Sequence, residues 1–237
     1  MKFIVLFLSV LSWLSMAASE ASNLKMVQLT DNVYQHISYK EVAPWGLVGA
    51  SGLVVIDGEN AHIIDTPWTV AETKQLLQWI KSKNLTVKSS VVTHFHEDAS
   101  GGMSLLNELN IKTYATELTN TLLSENEKEP SNHVITKNTF ELVPDSIEVF
   151  YPGAGHSQDN IVVWLPQSNM LFGGCFIKSL GSKSLGYTGD ASIPDWPKSI
   201  SNVINKYPNI KTVVPGHGKV GNKALLHHTA QMTLKKI

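Results

Sequence analysis

The sequence predicts an α/β domain made of two similar halves. Met26 to Leu29 and Val33 to Tyr39 read as strands separated by a turn, and an amphipathic helix after Thr69 leads to a strand of β-branched residues at Val87 to Val92. Strands followed by helix, strand and helix recur from Thr139 onward. Because neither half is a complete core by itself, the pattern favours one domain built from a duplicated unit.

The first half opens as a β-meander. Ser51 to Ile56 and Ala61 to Ile64 add two further strands around a tight turn. Between the two strand pairs, Glu41 to Gly49 reads as a loop that carries more apolar residues than a plain surface turn needs. Thr69 to Glu72 forms a capping box, and apolar positions at helical spacing then predict a helix that ends near Asn84.

The remaining elements are shorter. Residues 102–109 and 116–124 read as helices on either side of a short strand, and the polar run 124–132 reads as the connection between the halves. Asp195-Trp196-Pro197 predicts a helix start because proline fits the first turn, and apolar residues within 225–232 mark the final helix. Five more strands are predicted, at residues 139–142, 146–151, 160–165, 170–172 and 212–214.

The first residues are typical of a secretory signal peptide. Met1-Lys2 is followed by an apolar run from Phe3 to Leu14 and by small residues at 15–19. The apolar run is too short to span a bilayer. We therefore expect residues 1–17 to be a signal peptide, with cleavage somewhere in 17–21 and export to the periplasm.

The mature chain is expected to form a single domain over residues 22–237. The formal net charge is -1 and 16% of the residues are charged, so neither nucleic acid nor an anionic membrane surface is an expected partner. Cys175 is the only cysteine, which excludes an internal disulfide and a lipid anchor attached to cysteine. We expect a monomer that acts on a small molecule and has no stable membrane anchor.

The run His94-Phe95-His96-Glu97-Asp98 places three potential metal ligands directly after an apolar strand. In an extended segment, side chains two residues apart point the same way, so His94 and His96 can reach one ion while Phe95 turns away into packing. Asp98, one step further on, can reach past them. Taken alone, such a run could be a chance feature of the surface.

Three downstream loops each place one potential metal ligand beside glycine or proline. This pattern is typical of a loop that presents a side chain at the end of a strand. They are Gly155-His156-Ser157, Gly173-Gly174-Cys175 and Pro215-Gly216-His217-Gly218. Together with the first motif, these donors divide naturally into two zinc sites. One offers three imidazoles, and the other offers a thiolate, an imidazole and a carboxylate.

These four motifs resemble the zinc-ligand motifs of the metallo-β-lactamases, specifically the dizinc subclass with a three-His site and an Asp-Cys-His site. The order and rough spacing match over essentially the whole mature chain. The resemblance implies a four-layer αβ/βα sandwich with the metals at the sheet edge, between the two sheets. It also implies two Zn²⁺ ions per chain, one held by His94, His96 and His156 and the other by Asp98, Cys175 and His217.

The resemblance implies roles for four more side chains. Trp45 would be the aromatic contact of a mobile flap over the substrate, with a Trp folded onto the core as the alternative. Asp65 would orient a metal ligand, with a turn-capping Asp as the alternative. Lys178 resembles the lysine that pairs with the substrate carboxylate, with an ordinary surface lysine as the alternative. Tyr187 stands where the family often has Asn and would be a secondary substrate contact.

Five histidines are not expected to bind metal because none lies in a glycine-flanked loop at a strand end. We predict that they are structural or solvated. They are His36, His62, His133, His227 and His228.

The predicted chemistry is zinc-dependent hydrolysis of the β-lactam amide bond, which gives antibiotic resistance. Zinc lowers the pKa of bound water from roughly 15.7 to about 7, so hydroxide is the expected nucleophile. The three-His ion would polarise the amide carbonyl and carry that hydroxide, and the second ion would bind the leaving nitrogen. Asp98, Lys178 and Tyr187 are the residues expected to be catalytic.

Two other functions remain open on sequence. One is a zinc hydrolase of the same fold that acts on another ester or thioester substrate. The thioesterases and nucleases of this fold typically carry a histidine directly after the motif aspartate and an aspartate in place of the cysteine. Ala99 and Cys175 at these two positions favour the lactamase. A non-enzymatic zinc-binding module would explain the six ligands but would not explain the flap, Lys178 or the open three-His site.

Overall fold

Two β-sheets face each other across a shared apolar core, and helices cover their outer faces. The computed structural model describes residues 24–236, so the predicted signal peptide lies outside the described residues. No helix within that range is both long and apolar enough to cross a membrane.

The first sheet contains seven strands in chain order, of which β1 to β4 are antiparallel and β4 to β7 are parallel. Four helices connect or follow the parallel strands. The strands are β1 (Lys25–Thr30), β2 (Val33–Val42), β3 (Gly46–Asp57), β4 (Asn60–Ile64), β5 (Thr86–Val91), β6 (Lys112–Thr116) and β7 (His133–Ile135). The helices are α1 (Val70–Ser82), α2 (Glu97–Ser100), α3 (Met103–Glu108) and α4 (Glu117–Glu125).

The second sheet has five strands in the order β12-β11-β10-β9-β8, and only the β11–β12 pair is parallel. Two helices pack on its outer face, and a 3₁₀ turn at Pro166–Ser168 follows β10. The strands are β8 (Thr139–Val143), β9 (Ile147–Phe150), β10 (Val162–Leu165), β11 (Met170–Gly174) and β12 (Thr212–Pro215). The helices are α5 (Trp196–Lys206) and α6 (Ala224–Leu234).

Side chains along the central strands alternate between two layers. One layer is the core between the two sheets, and the other is the core between each sheet and its helices. In β4, Ile64 packs into the core shared by both sheets, whereas Ile63 packs with Leu76 of α1. In β11, Phe172 points into the shared core and Leu171 joins the layer under α5 and α6. All five side chains are fully buried. The predicted four-layer αβ/βα sandwich is therefore confirmed.

The capping box at the start of α1 also ties this helix to the first sheet. Thr69 Oγ1 accepts a hydrogen bond from the Glu72 backbone N–H at 3.2 Å and donates one to Glu72 Oε2 at 3.0 Å. Glu72 Oε1 accepts the backbone N–H of Tyr39 in β2 at 3.0 Å. Strand β1 pairs with β2 only as far as Ile37. The buried Glu72 carboxylate therefore accepts a β2 N–H that β1 does not reach.

The prediction of a loop at Glu41 to Gly49 is wrong. β2 and β3 stay paired as far as Val42 and Gly46, which leaves only residues 43–45 as a turn. The apolar residues of this stretch therefore belong to a long hairpin that extends from the sheet. Trp45 at its tip is 52% exposed, so the alternative of a Trp folded onto the core is wrong as well.

Two short elements differ from the predictions. Asp98 lies in the single-turn helix α2, so it does not continue the extended segment of His94 and His96. Strand β7 places residues 133–135 in the first sheet, and the chain passes to the second sheet at 136–138 instead of 124–132. Elements of three or four residues are too short to show a hydrophobic period in the sequence.

Candidate metal centre

Four loops at one edge of the two sheets carry the predicted ligands. Residues 92–98, here called the metal loop, follow the carboxyl end of β5. Cys175 directly follows strand β11, His217 lies two residues after the parallel strand β12, and His156 lies between β9 and β10. The carboxyl ends of neighbouring parallel strands lie at the same edge of a sheet. The fold therefore brings the predicted ligands close together.

Three imidazole rings form a triangle in this edge cluster. The ring centroids of His94, His96 and His156 are 4.7 to 5.0 Å apart. Nδ1 of His96 lies 3.1 Å from Nε2 of His156. The predicted three-His group is therefore brought together, with one nitrogen of His96 and one of His156 facing each other.

Asp98, Cys175 and His217 form a second, tighter group. Cys175 Sγ lies 3.0 Å from Asp98 Oδ2 and 3.3 Å from His217 Nε2, and the same two nitrogen and oxygen atoms are 3.0 Å apart. Only glycine fits beside the thiol, because a Cβ at Gly216 would lie 2.5 Å from Sγ. These three donors converge on one point, as the ligands of a single ion do.

The two groups form one continuous cluster, because Asp98 and His94 each also lie near the other group. The donor atoms of His94, His96 and Asp98 lie within 4.8 Å of one another, as do those of His94, His156 and Cys175. Nε2 of His94 lies 3.4 Å from Oδ1 of Asp98, and these two buried atoms make no hydrogen bond. Buried polar atoms without partners are costly, and metal ligation would satisfy them.

The electrostatics of the second group also fit a cation. Burial raises the pKa of the Cys175 thiol well above its usual value, and the Asp98 carboxylate raises it further. Burial alone would raise the pKa of Asp98, but the His217 and His94 imidazoles hold it well below the usual range. A buried carboxylate beside a buried thiol becomes a favourable pair of anions only when a metal ion offsets their charge.

Burial favours the neutral, metal-binding form of His96 and His156. Burial alone would also lower the pKa of His94, but the Asp98 carboxylate beside it raises that pKa above its usual value. Burial lowers the pKa of His156 well below 6.5, and the nearby Lys178 ammonium lowers it further. Burial also lowers the pKa of His96. The His217 ring has a defined tautomer, because its Nδ1 lies 2.8 Å from the Gly49 carbonyl oxygen, which can only accept. His217 Nε2 is thereby left free to face Asp98 and Cys175.

Asp65 supports the metal loop through an intervening threonine. Its carboxylate accepts the backbone N–H of Thr93 at 2.6 Å and the Thr93 hydroxyl at 2.8 Å, and that hydroxyl lies 3.3 Å from His94 Nδ1. Burial raises the pKa of Asp65 to about 7. Because its partners are 28 residues away, Asp65 fixes the metal loop and does not cap its own turn.

Asp190 is a site residue for which the sequence predicts no role. Its Oδ2 lies 2.9 Å from Nε2 of His96. It follows Gly186-Tyr187-Thr188-Gly189 in an irregular loop, where an acidic residue carries no local signal of its target.

A cavity of about 440 Å³ opens beside the cluster of predicted metal ligands. Lys178 lies in its wall and is only 8% exposed, so it is not an ordinary surface lysine. Its Nζ lies 5.5 Å from the centroid of the Trp196 ring. Tyr187 packs edge-on to His96 with a centroid distance of 5.8 Å, and the hairpin residue Trp45 also lines the cavity, with Trp68.

The five other histidines lie outside the candidate metal groups of the described residues. His36 and His62 are buried and contact the Asp65 carbonyl and the Ser89 hydroxyl, respectively. His133 lies beside the Asn132 side chain.

The αβ/βα sandwich and its edge cluster of His, Asp and Cys donors define a metal-binding protein of the hydrolase type. Residues 44–217 match the metallo-beta-lactamase superfamily. The chain is 42% identical over 234 residues to a metallo-beta-lactamase type 2 of Pseudomonas aeruginosa, covering 99% of this chain and 94% of that protein. A type 2 enzyme of Bacteroides fragilis is 35% identical over 98% of this chain and 96% of its own length.

Solved structures agree with these relatives. The crystal structure of VMB-1 superposes with a TM-score of 0.90 at 63% identity, covering 91% of this chain and 99% of that one. DIM-1 metallo-beta-lactamase exposed to ceftazidime gives a TM-score of 0.89 at 47% identity, covering 91% and 98% of the two chains. The chain belongs to the metallo-β-lactamase superfamily, and zinc is the metal that this family implies.

Proposed function

We propose that this chain is a zinc-dependent β-lactamase, which hydrolyses the β-lactam amide bond and so confers antibiotic resistance. The observation that carries the proposal is the convergence of the Asp98, Cys175 and His217 donors beside three imidazoles, at the mouth of a cavity that contains Lys178. Similarity to named metallo-β-lactamases over nearly the whole chain supports the same substrate class.

Two zinc ions per chain would be held by the residues of the edge cluster. His94, His96 and His156 would hold one ion, and Asp98, Cys175 and His217 would hold the other. When bound, zinc polarises the substrate carbonyl and lowers the pKa of a water molecule to about 7. Neutral imidazoles on one side and two anionic donors on the other suit zinc in both positions.

Asp98 stands between the two groups of donors. Its Oδ2 belongs to the Cys175 and His217 group, while its Oδ1 faces His94. With its pKa held well below the usual range, the carboxylate stays ionised at neutral pH. We propose that Asp98 orients the attacking water with respect to the substrate carbonyl by accepting a hydrogen bond from it.

The cavity would bind the substrate by charge and by apolar contact. Among residues 24–236, no carboxylate lies within ion-pair distance of Lys178, so its ammonium is available to the carboxylate of a β-lactam. Trp45 would cover the apolar part of the substrate from the hairpin tip. Tyr187, which is 52% exposed on the rim, would donate one hydrogen bond from its phenol.

We further propose that the protein is exported to the periplasm and acts there as a monomer without a stable membrane anchor. The signal pattern of residues 1–17 supports this location. Mass spectrometry of the mature protein tests it. A new N-terminus between residues 18 and 22 is expected, and a retained Met1 or an acylated chain would contradict it.

Nitrocefin turnover by purified protein tests the activity directly. Hydrolysis should stop when a chelator removes zinc and should return when zinc is added back, with two zinc ions per chain in the active sample. A control with Lys83→Met, at the C-terminal end of α1, should retain full turnover. Zinc binding without nitrocefin turnover would instead support a non-enzymatic module.

A further inference from the structure

Lys128 contacts the metal loop from its outer side. Its Nζ donates a hydrogen bond to the Phe95 carbonyl oxygen at 3.2 Å and lies 5.9 Å from the Phe95 ring centroid. This carbonyl belongs to the peptide unit that joins Phe95 to His96, and His94 is on the other side of Phe95. Lys128 therefore binds the backbone between two of the three predicted imidazole ligands.

The end of helix α4 fixes the backbone of Lys128. The Lys128 N–H donates to the Leu123 carbonyl at 2.8 Å, and the Glu127 N–H donates to the Ser124 carbonyl at 3.1 Å. With Glu127 in the left-handed region at φ 56°, these two bonds form a Schellman motif. The motif aims Lys128 back across the end of the helix toward the metal loop.

Glu127 is unusual at this position. All other non-glycine residues with positive φ in residues 24–236 are Asp or Asn, which tolerate that conformation better. A residue that accepts backbone strain is retained where the surrounding structure needs the resulting geometry. Here that geometry places Lys128 on Phe95.

Inside the metal loop, the Phe95 carbonyl has one other side-chain partner. The Ser100 hydroxyl, in the same loop and helix unit, lies 3.2 Å from it. Only Lys128 joins this carbonyl to a different part of the fold among the described residues. Burial lowers the pKa of Lys128, and the nearby Glu97 and Asp98 carboxylates oppose this shift.

We propose that Lys128 is a positioning residue that holds the metal loop in the geometry with which His94 and His96 bind zinc. The inference rests on the proposed function, because it assigns Lys128 to the same zinc site. Two effects of the lysine have opposite signs. Its positive charge repels a metal cation, whereas its hydrogen bond pre-organises the ligands, and the proposal requires the second effect to be larger.

Zinc affinity and amide exchange together test the proposal. Lys128→Met removes the donor, Lys128→Arg keeps it, and Lys83→Met is the matched control because Lys83 also lies over an aromatic ring, 5.6 Å from the Trp79 centroid. We expect Lys128→Met to weaken zinc binding about tenfold in a chelator competition, as for other residues that support metal ligands. Lys128→Arg should stay within about threefold of wild type on the same scale.

Hydrogen exchange in the zinc-free protein separates positioning from charge. The N–H groups of Ala99 and Ser100 donate to the His96 carbonyl and report on the metal loop. They should exchange faster in Lys128→Met and at the wild-type rate in Lys83→Met. If Lys128→Met does not fold, Lys128→Leu gives the same comparison, because leucine also lacks a donor.

Equal or tighter zinc binding in a folded variant that lacks the donor, with wild-type exchange at Ala99 and Ser100, would overturn the proposal. That result differs from failure of the proposed function, in which the wild-type protein itself would not bind zinc or turn over nitrocefin. Weaker zinc binding with faster exchange at both amides would support the positioning role.

Discussion

Asp190 Oδ2 lies 2.9 Å from His96 Nε2, while Nδ1 of the same ring faces His156. A carboxylate can only accept, so Nε2 carries the proton and Nδ1 keeps the lone pair that a metal needs. The Gly49 carbonyl orients His217 by the same logic, with the roles of the two ring nitrogens exchanged. In both rings, an acceptor fixes the proton on one nitrogen and so leaves the lone pair of the other nitrogen facing the cluster.

Replacing Asp190 by Ala should therefore weaken zinc binding. The loss should be about tenfold in a chelator competition, as is usual for an acceptor behind a metal-binding imidazole. Asp190→Asn keeps an acceptor oxygen and should lose less. The control is Asp195→Ala in the same segment, where the carboxylate contacts Ser192 instead of His96. Unchanged zinc affinity in Asp190→Ala would show that the ring is held by other contacts.

Cys175→Ser tests whether the thiol is a ligand. The change should lower the metal content toward one zinc per chain and strongly reduce turnover, because a hydroxyl does not replace a thiolate at such a site. Far-UV circular dichroism should stay near wild type, since the side chain changes by one atom. Metal analysis of the dialysed variant gives the answer. Two tightly bound zinc ions in Cys175→Ser would mean that the thiol only packs in the core.

The candidate ligand groups could be predicted from sequence because each of their residues has a local signal. His156, Cys175 and His217 each stand beside glycine at or near a strand end, and the metal loop packs three donors into five residues. Strand and helix periodicity predicted an α/β domain of two similar halves, and the four-layer sandwich was implied by the family resemblance alone. The role of a residue could therefore be predicted where its neighbours in the sequence indicate that role.

The supporting contacts could not be predicted because they join distant residues. His96 and Asp190 are 94 positions apart, and His217 and Gly49 are 168 apart. The partner of His217 is a backbone carbonyl, which has no sequence signature at all. Lys128 lies in a polar run that reads as a plain connection, and only the Schellman motif of α4 turns it toward Phe95.

Lys178→Ala should reduce kcat/KM on a cephalosporin by about ten- to a hundredfold. A charge-assisted hydrogen bond to a carboxylate is worth about 1.5–3 kcal/mol, and each 1.4 kcal/mol is roughly a tenfold change. The loss should lie mostly in KM, because a carboxylate remote from the reacting carbonyl is bound about equally in the ground and transition states. Steady-state kinetics separate the two constants. An unchanged KM would show that the substrate carboxylate is held elsewhere.

Tyr187→Phe should have a smaller effect on the same substrate. Removing one neutral donor costs about 0.5–1.5 kcal/mol where the phenol touches the substrate. The ring packing against His96 is retained in phenylalanine, so zinc content should not change. Parallel kinetics of both variants rank the two contacts. A larger loss in Tyr187→Phe than in Lys178→Ala would make the phenol the main anchor.

His36 should make the stability of the zinc-free protein depend on pH. Burial lowers the pKa of His36 from 6.5 to about 4, although the Asp65 carbonyl beside Nε2 opposes this shift. Between these values the unfolded chain binds a proton that the folded protein does not, so the free energy of unfolding falls as pH falls. Above pH 6.5, His36 does not reduce the free energy of unfolding. By pH 4 it has reduced this free energy by about 3 kcal/mol, at 1.36 kcal/mol per pKa unit.

Urea unfolding of wild type and His36→Gln, both with chelator present, isolates this contribution. Glutamine is neutral throughout and can still donate to the Asp65 carbonyl, so the variant should lose less stability between pH 6.5 and 4 than wild type does. Zinc must be absent from both samples, because ligand protonation would release the metal over the same range and add its own pH dependence. His133→Gln, at a partly exposed imidazole, should follow the wild-type curve. Parallel curves for wild type and His36→Gln would show that the buried ring does not resist protonation.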